Sequence, residues 1–285
     1  MDQKEKFIEN KSLRPDRPQE IILKKNYPPI LIYQMGKVGS SSVYKALKSA
    51  NIPNSCFHVH QLSDKGLREK EGWLKLNKKK PTDEFRFFKK LKETIDINRD
   101  KLNWKILTMA REPVSLEISG VFENMNFLYK QLLDENGKPD KGKTIKYLLE
   151  RFYKLDVSKG YYCNWFDNEL KAVFDIDVYS KPYDFNRGFS ILNKGNVSAL
   201  VIRLEDFKRS LKKALCEFLG LEIEPAAANI GSKKDYAKEY KEILESLALP
   251  LPICEKIYSS KYARHFYTKN EIVSFIEKWS SKQID

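Results

Sequence analysis

The sequence predicts an α/β fold with a mainly parallel central sheet flanked by helices. Short apolar runs of strand length at 28–33, 55–62 and 104–110 alternate with segments of helical period. Strands separated by helix-length segments must be joined by crossovers, which favour parallel pairing and right-handed connections. In such sheets ligands gather at the carboxyl ends of the strands, and these runs end in the polar groups of the 36–42 loop, His58 and His60, and Arg111.

Residues 1–27 are polar and charged and read as a flexible arm. Residues 28–285 then read as a single domain with helical insertions. The run PPILIY (28–33) is bounded by prolines and rich in Ile, as suits a strand buried on both faces. In SSSVYKALKSANI, Val43, Ala46, Leu47 and Ala50 fall at helical spacing, with serines placed to cap the start. SCFHVHQL reads as a second short strand. The charged segment 64–101, with Trp73, Phe85, Phe87, Phe88 and Leu91 as apolar anchors, predicts helix. The run 104–110 predicts a strand ending in Arg111, and Pro113 suits the first turn of the next helix, where its missing N–H costs nothing. Residues 121–172 read as mostly helical. From Val178 onward the pattern predicts a strand, a turn-rich hairpin region, a strong strand at 198–204 and a helix. The remainder is helical to NEIVSFIEKWS, and no internal repeat is visible.

The formal net charge is +13, from Lys spread evenly along the chain. This is either a field that favours an anionic ligand or surface, or an ordinary solvated exterior. Zinc-finger spacing, an RNP-type aromatic motif and a compact Arg cluster are missing, which argues against nucleic acid. Cys56, Cys163, Cys216 and Cys254 lie far apart with no C-x-x-C pair, so neither zinc nor a disulfide framework is expected. With no apolar signal region and no run of the roughly 18 residues needed to span a bilayer, the expectation is a soluble, cytoplasmic protein. Oligomeric state is not legible.

The segment IYQMGKVGSSSVYKAL carries the strongest chemical signal. A helix start offers unpaired N–H groups and partial positive charge, which attract phosphate. Gly36 and Gly39 allow close backbone approach, Lys37 adds a full charge, and Ser40, Ser41 and Ser42 add hydroxyl donors. A nucleoside-triphosphate loop needs G-x-x-x-x-G-K-[ST]; here Val38 follows Lys37 and Leu31 stands at the first Gly position, which disfavours a kinase or ATPase. The plain alternative is a Gly/Ser-rich turn that starts a helix.

The order Lys-x-Gly-Ser-Ser-Ser from Lys37 to Ser42 resembles the 5′-phosphosulfate loop of sulfotransferases that use 3′-phosphoadenosine 5′-phosphosulfate (PAPS). The resemblance implies a P-loop-like three-layer sandwich, PAPS as co-substrate and no metal. A second motif resembles that family's 3′-phosphate site, with Arg111 at a strand end, Pro113 two residues on and Ser119 eight residues on. A guanidinium fork and a helical hydroxyl suit a phosphate dianion. LVIRLEDFK is similar to the family's late strand, although a plain core strand with a charged helix start explains it as well. KYARHFYTKNEI and WFDNELKAVFDIDVYSKP look similar to the bacterial capsular-polysaccharide-synthesis branch. The chain departs from the cytosolic branch in having Gly36 where Pro is usual. It also lacks the C-terminal R-K-G-x-x-G-D-W segment, for which Lys233 and Lys234, or Lys261 and Arg264, could substitute.

Sulfuryl transfer needs a base for the acceptor hydroxyl, and histidine titrates in the right range. His58 and His60 alternate on a strand end and therefore share a face. Their H-V-H is similar to the His-x-His of uronyl 2-O-sulfotransferases, which implies His60 as base and His58 as helper or acceptor contact; a purely structural pair is the alternative. His265, in RHFY, reads as a packed histidine. By resemblance, Lys37 would stabilise the leaving phosphate and Ser119 would hold that lysine in reserve. The expected activity is sulfuryl transfer to a hydroxyl of a carbohydrate or glycolipid acceptor, with contact to a membrane surface left open. The alternatives are an ATP-dependent phosphotransferase and a non-catalytic binder of anionic glycans.

Overall fold

The computed structural model describes residues 21–24, 26–158, 160–223 and 235–280. The expected arm, and Lys233 and Lys234, lie largely or wholly outside them. Ile30, Leu31, Ile32 and Tyr33 form β1 (Ile30–Tyr33) and are completely buried, as a strand covered on both faces must be. β2 (Cys56–Val59) and β3 (Trp104–Ala110) lie parallel on either side of β1, with Ile32 opposite His58 on one side and Leu107 on the other. β5 (Val197–Arg203) pairs parallel with β3, and β4 (Phe189–Lys194) closes the far edge antiparallel to β5. The order β2-β1-β3-β5-β4 reverses direction at β1. The chain leaves β1 for one neighbour and returns to the other, so a crevice opens beyond the carboxyl ends of β1 and β3.

Helices flank this sheet. α1 (Ser40–Ser49) follows β1; α2 (Asp64–Leu76) and α3 (Asp83–Asn98) follow β2; α4 (Pro113–Leu128) follows β3. The next helices are α5 (Lys141–Tyr153), α6 (Tyr161–Trp165) and α7 (Ala172–Phe174), the last two joined by a π-helical turn (Phe166–Lys171). α8 (Phe207–Leu219), α9 (Ala237–Ser246), α10 (Leu251–Tyr258), α11 (Lys261–Phe266) and α12 (Lys269–Ser280) complete the chain. One apolar cluster surrounds the sheet. A second, with Val114, Ile118, Phe122, Leu148, Ile243 and Ile257, fills the space among α4, α5, α9 and α10. Among the described residues no helix is long and apolar enough to cross a membrane.

Several expectations are corrected. The 64–101 segment breaks in two, because Ser63 and Thr82 each cap a helix start by accepting from Gly66 N–H and Phe85 N–H. Lys78 turns left-handed at φ 50° between them. Residues 129–140 interrupt the expected helical stretch, with Leu133 and Pro139 pairing across a turn. The expected strand at Val178 is a 3₁₀ turn (Val178–Ser180), because the Asp177 carboxylate captures Tyr179 N–H. The strand lies later, and its hairpin to β5 turns at Gly195. Finally, Gly39 rather than a serine occupies the cap of α1, and no side chain caps that helix.

Candidate active site

The loop from β1 to α1 is held in a demanding conformation. Lys37 lies in the left-handed region at φ 67°, sparsely populated for residues with a Cβ. Its carbonyl accepts a hydrogen bond from Arg111 Nη1 at 2.9 Å, which ties the loop to the end of β3. Gly39 is left-handed at φ 88°, and a Cβ there would stand 2.7 Å from Leu204 Cδ1 and 2.9 Å from Phe207 Cε2. This glycine therefore serves close packing against the start of α8, a role beyond the backbone approach to an anion read from the sequence. At Gly36 a Cβ would meet nothing within 4 Å, so the loop is open on that side. The Lys37 ammonium pairs with Glu123 Oε2 at 2.7 Å. Glu123 lies one helical turn beyond Ser119 on α4, so the acidic residue supplies an observed partner the sequence did not reveal.

Arg111 is held at both ends. Its N–H donates to the Tyr262 hydroxyl and that hydroxyl donates to its carbonyl, each at 2.9 Å. Its Nη2 faces the Tyr240 hydroxyl at 3.4 Å. Beneath it, Glu112 caps α4 by accepting from Val114 N–H and Ser115 N–H, both at 2.8 Å, and also accepts from the Tyr258 hydroxyl. Glu112 N–H in turn donates to Glu205 Oε1 at 2.8 Å, and burial pushes the Glu205 carboxyl above its usual range. Arg203 is consumed by ion pairs with Asp206 at 2.5 Å and Glu271 at 2.9 Å, so LVIRLEDFK supplies framework rather than an open cation.

The histidines meet at Gln34, which directly follows β1 and is completely buried. Its Nε2 lies 3.0 Å from His58 Nε2 and 3.4 Å from His60 Nδ1. The two rings stand 4.9 Å apart. His58 is buried, stacks on Tyr44 and contacts Ser40 Oγ at 3.0 Å, so it joins the histidine strand to the first residue of α1. His60 Nδ1 lies 3.0 Å from the Gln34 carbonyl oxygen. A carbonyl only accepts, so the shorter of the two Nδ1 contacts favours the tautomer with the proton on Nδ1 and Nε2 as the acceptor nitrogen, while the Gln34 amide, a donor, stands farther off.

A buried carboxylate fixes the loop after His60. Glu169, on the π-helical turn, accepts from Leu62 N–H at 2.8 Å, Ser63 N–H at 2.9 Å, Ser63 Oγ at 2.8 Å and the Tyr33 hydroxyl. Trp165 Nε1 donates to the His60 carbonyl at 3.0 Å. Gly66 must lack a side chain here, since a Cβ would fall 2.0 Å from Glu169 Oε1. π-turns recur at functional sites because they re-aim side chains within a helix.

Gly36, Lys37 and His60 together line a cavity of about 290 Å³, with Phe88, Gly120 and Tyr162 among its other walls. Ser41 and Ser119 are half-buried, and Ser119 immediately precedes wall residue Gly120. Ser42 is buried, with its N–H on the Gly39 carbonyl at 3.1 Å. Of the sequence-predicted residues, Lys37, Ser40, His58, His60 and Arg111 are thus linked by contacts or a shared cavity near the carboxyl ends of β1, β2 and β3, with Ser119 one residue from the cavity wall. Lys261 instead pairs with Asp167 at 3.1 Å. His265 packs against Tyr179 and Phe266; desolvation and then Lys261 lower its pKa to about 4. Among the described residues no group of three or more His, Cys, Asp or Glu side chains is placed to hold a metal ion.

Residues 136–268 match the model of the NKWYS family, described as "Putative capsular polysaccharide synthesis protein". The matched segment contains Trp165, Glu169, Arg203, Glu205 and Tyr262, whereas Lys37, His58, His60, Arg111 and Ser119 precede it. No curated protein and no solved structure gives a match.

Proposed function

We propose that the protein is a PAPS-dependent sulfotransferase acting on a hydroxyl of a carbohydrate acceptor. The carrying observation is the 2.9 Å bond from Arg111 to the Lys37 carbonyl, which makes neighbours of the two anion-binding motifs. Such adjacency suits one ligand with two anionic groups on a single nucleoside. The open side of the loop at Gly36 leaves room for it, and the match to capsular polysaccharide synthesis favours a glycan acceptor.

In this reading the N-terminal turn of α1, with Ser40, Ser41 and Ser42, binds the 5′-phosphosulfate. Arg111 and Ser119 bind the 3′-phosphate. Bound PAPS supplies an activated sulfuryl group whose bond to phosphate breaks as the acceptor oxygen attacks sulfur. His60 Nε2 takes the acceptor proton, and Gln34 holds the ring in the tautomer that permits it. Lys37 leaves Glu123 to stabilise negative charge on the departing phosphate. His58 acts through Gln34 and Ser40 as a positioning residue.

The test is stabilisation against unfolding by adenosine 3′,5′-bisphosphate or by ATP with magnesium. At a hundredfold excess over Kd a native-state ligand adds about 2.7 kcal/mol. The bisphosphate should stabilise the wild type, and Arg111→Met should abolish the effect. Stabilisation by magnesium-ATP alone would refute the proposal.

A further inference from the structure

A larger cavity, of about 630 Å³, adjoins the catalytic one, and Tyr161 and Tyr162 wall both. Its size falls within the ~300–1,000 Å³ typical of ligand sites. The tyrosine pair stands edge to face at 5.4 Å, and Tyr161 is 42% exposed. Tyr147 adds a third aromatic wall. An exposed aromatic face in a lining that also carries polar side chains suits a ring that is apolar on one face and hydroxylated at its edge.

Glu117 supplies the polar anchor. It is 4% exposed and lines the cavity, and its Oε1 accepts from Arg151 Nε at 2.6 Å. Its buried Oε2 has no partner in hydrogen-bonding geometry. Burial, and then the adjacent Glu117 carboxylate through its charge and a hydrogen bond, push the Tyr162 phenol well above its usual range. A buried carboxylate oxygen calls for a well-aligned donor, and a sugar hydroxyl can take that role from the phenol. The lining carries Glu117, Glu150 and Asp156 against Arg151 and Lys154, and Arg151 is already committed to Glu117. This wall disfavours an anionic guest, despite the basic charge of the whole chain.

Resting on the sulfotransferase reading for its catalytic half, we infer that this cavity seats an uncharged sugar residue of an oligosaccharide acceptor. That residue neighbours the one whose hydroxyl faces His60. A hydroxyl donates to Glu117 Oε2, and the ring lies against Tyr161.

The test uses no nucleotide. The protein is titrated by isothermal calorimetry against neutral hexose and N-acetylhexosamine tetrasaccharides, and against uronate-containing tetrasaccharides of equal length. Saturable binding of at least one neutral tetrasaccharide is expected. Tyr161→Ala and Glu117→Gln should each weaken it at least tenfold, with thermal unfolding monitored to show that both variants fold. Absence of binding to any neutral tetrasaccharide, preference for the uronate series, or unchanged affinity in folded Tyr161→Ala each overturns the inference. Failure of adenosine 3′,5′-bisphosphate to stabilise the protein would instead defeat the nucleotide reading, leaving any mapped sugar binding intact.

Discussion

At His60, one backbone oxygen, that of Gln34, favours a proton on Nδ1. If Nε2 is the base, His60→Ala should lower the transfer rate by about 10²–10⁴-fold with bisphosphate affinity retained; single-turnover kinetics beside a binding titration would show it. Gly39→Ala meets both a left-handed backbone and two side-chain clashes. It should cost about 1–3 kcal/mol, read as a lower urea midpoint. His265 governs an acid limb of stability. Its pKa falls from 6.5 to about 4 on folding, so its contribution is complete above pH 6.5 and is lost as pH falls through 4. Up to about 3 kcal/mol should disappear across that window. Urea unfolding of His265→Phe at pH 7 and 4.5 should show a smaller difference than wild type. The cationic loop and the paired histidines were legible because their residue types declare their chemistry. Glu123 and Gln34 were not, since nothing local distinguishes either from any other polar residue.

Among the elements, α4 was the most fully legible. An apolar run ending in Arg111 and a proline in the first turn marked the junction, and the observed strand ends and the helix starts there. Glu112 between them is the cap, and Glu112→Ala should cost about 1–2 kcal/mol, measured by chemical unfolding. Its larger consequence would be a loosened Arg111, seen as weaker bisphosphate binding. Val178 misled because Val and Tyr favour strands, while the decisive group, the Asp177 carboxylate, acts through one local hydrogen bond. The break between α2 and α3 was signalled by Pro81 and Thr82, but the apolar anchors on either side concealed it.

For the whole molecule, strand–helix alternation gave the parallel sheet, and the β1/β3 crevice follows from its order. The long-range contacts that aim the site depend on meetings between residues about 100 positions apart. Glu169 is the clearest case: it lies 107 residues from Leu62, whose amide it holds. Glu169→Gln would replace an acceptor by a donor against that group of N–H and O–H donors. It should cost about 1–3 kcal/mol and slow transfer more than it weakens nucleotide binding, as paired unfolding and kinetic measurements would show. The π-turn bearing Glu169 sets helical regularity against aim. Deleting one residue between Phe166 and Lys171 would restore ordinary winding and favour the helix itself. It would also rotate Trp165 relative to the segment beyond by about 100°, so both could no longer grip the histidine loop. A shortened chain would coil more easily and hold the loop after His60 less firmly.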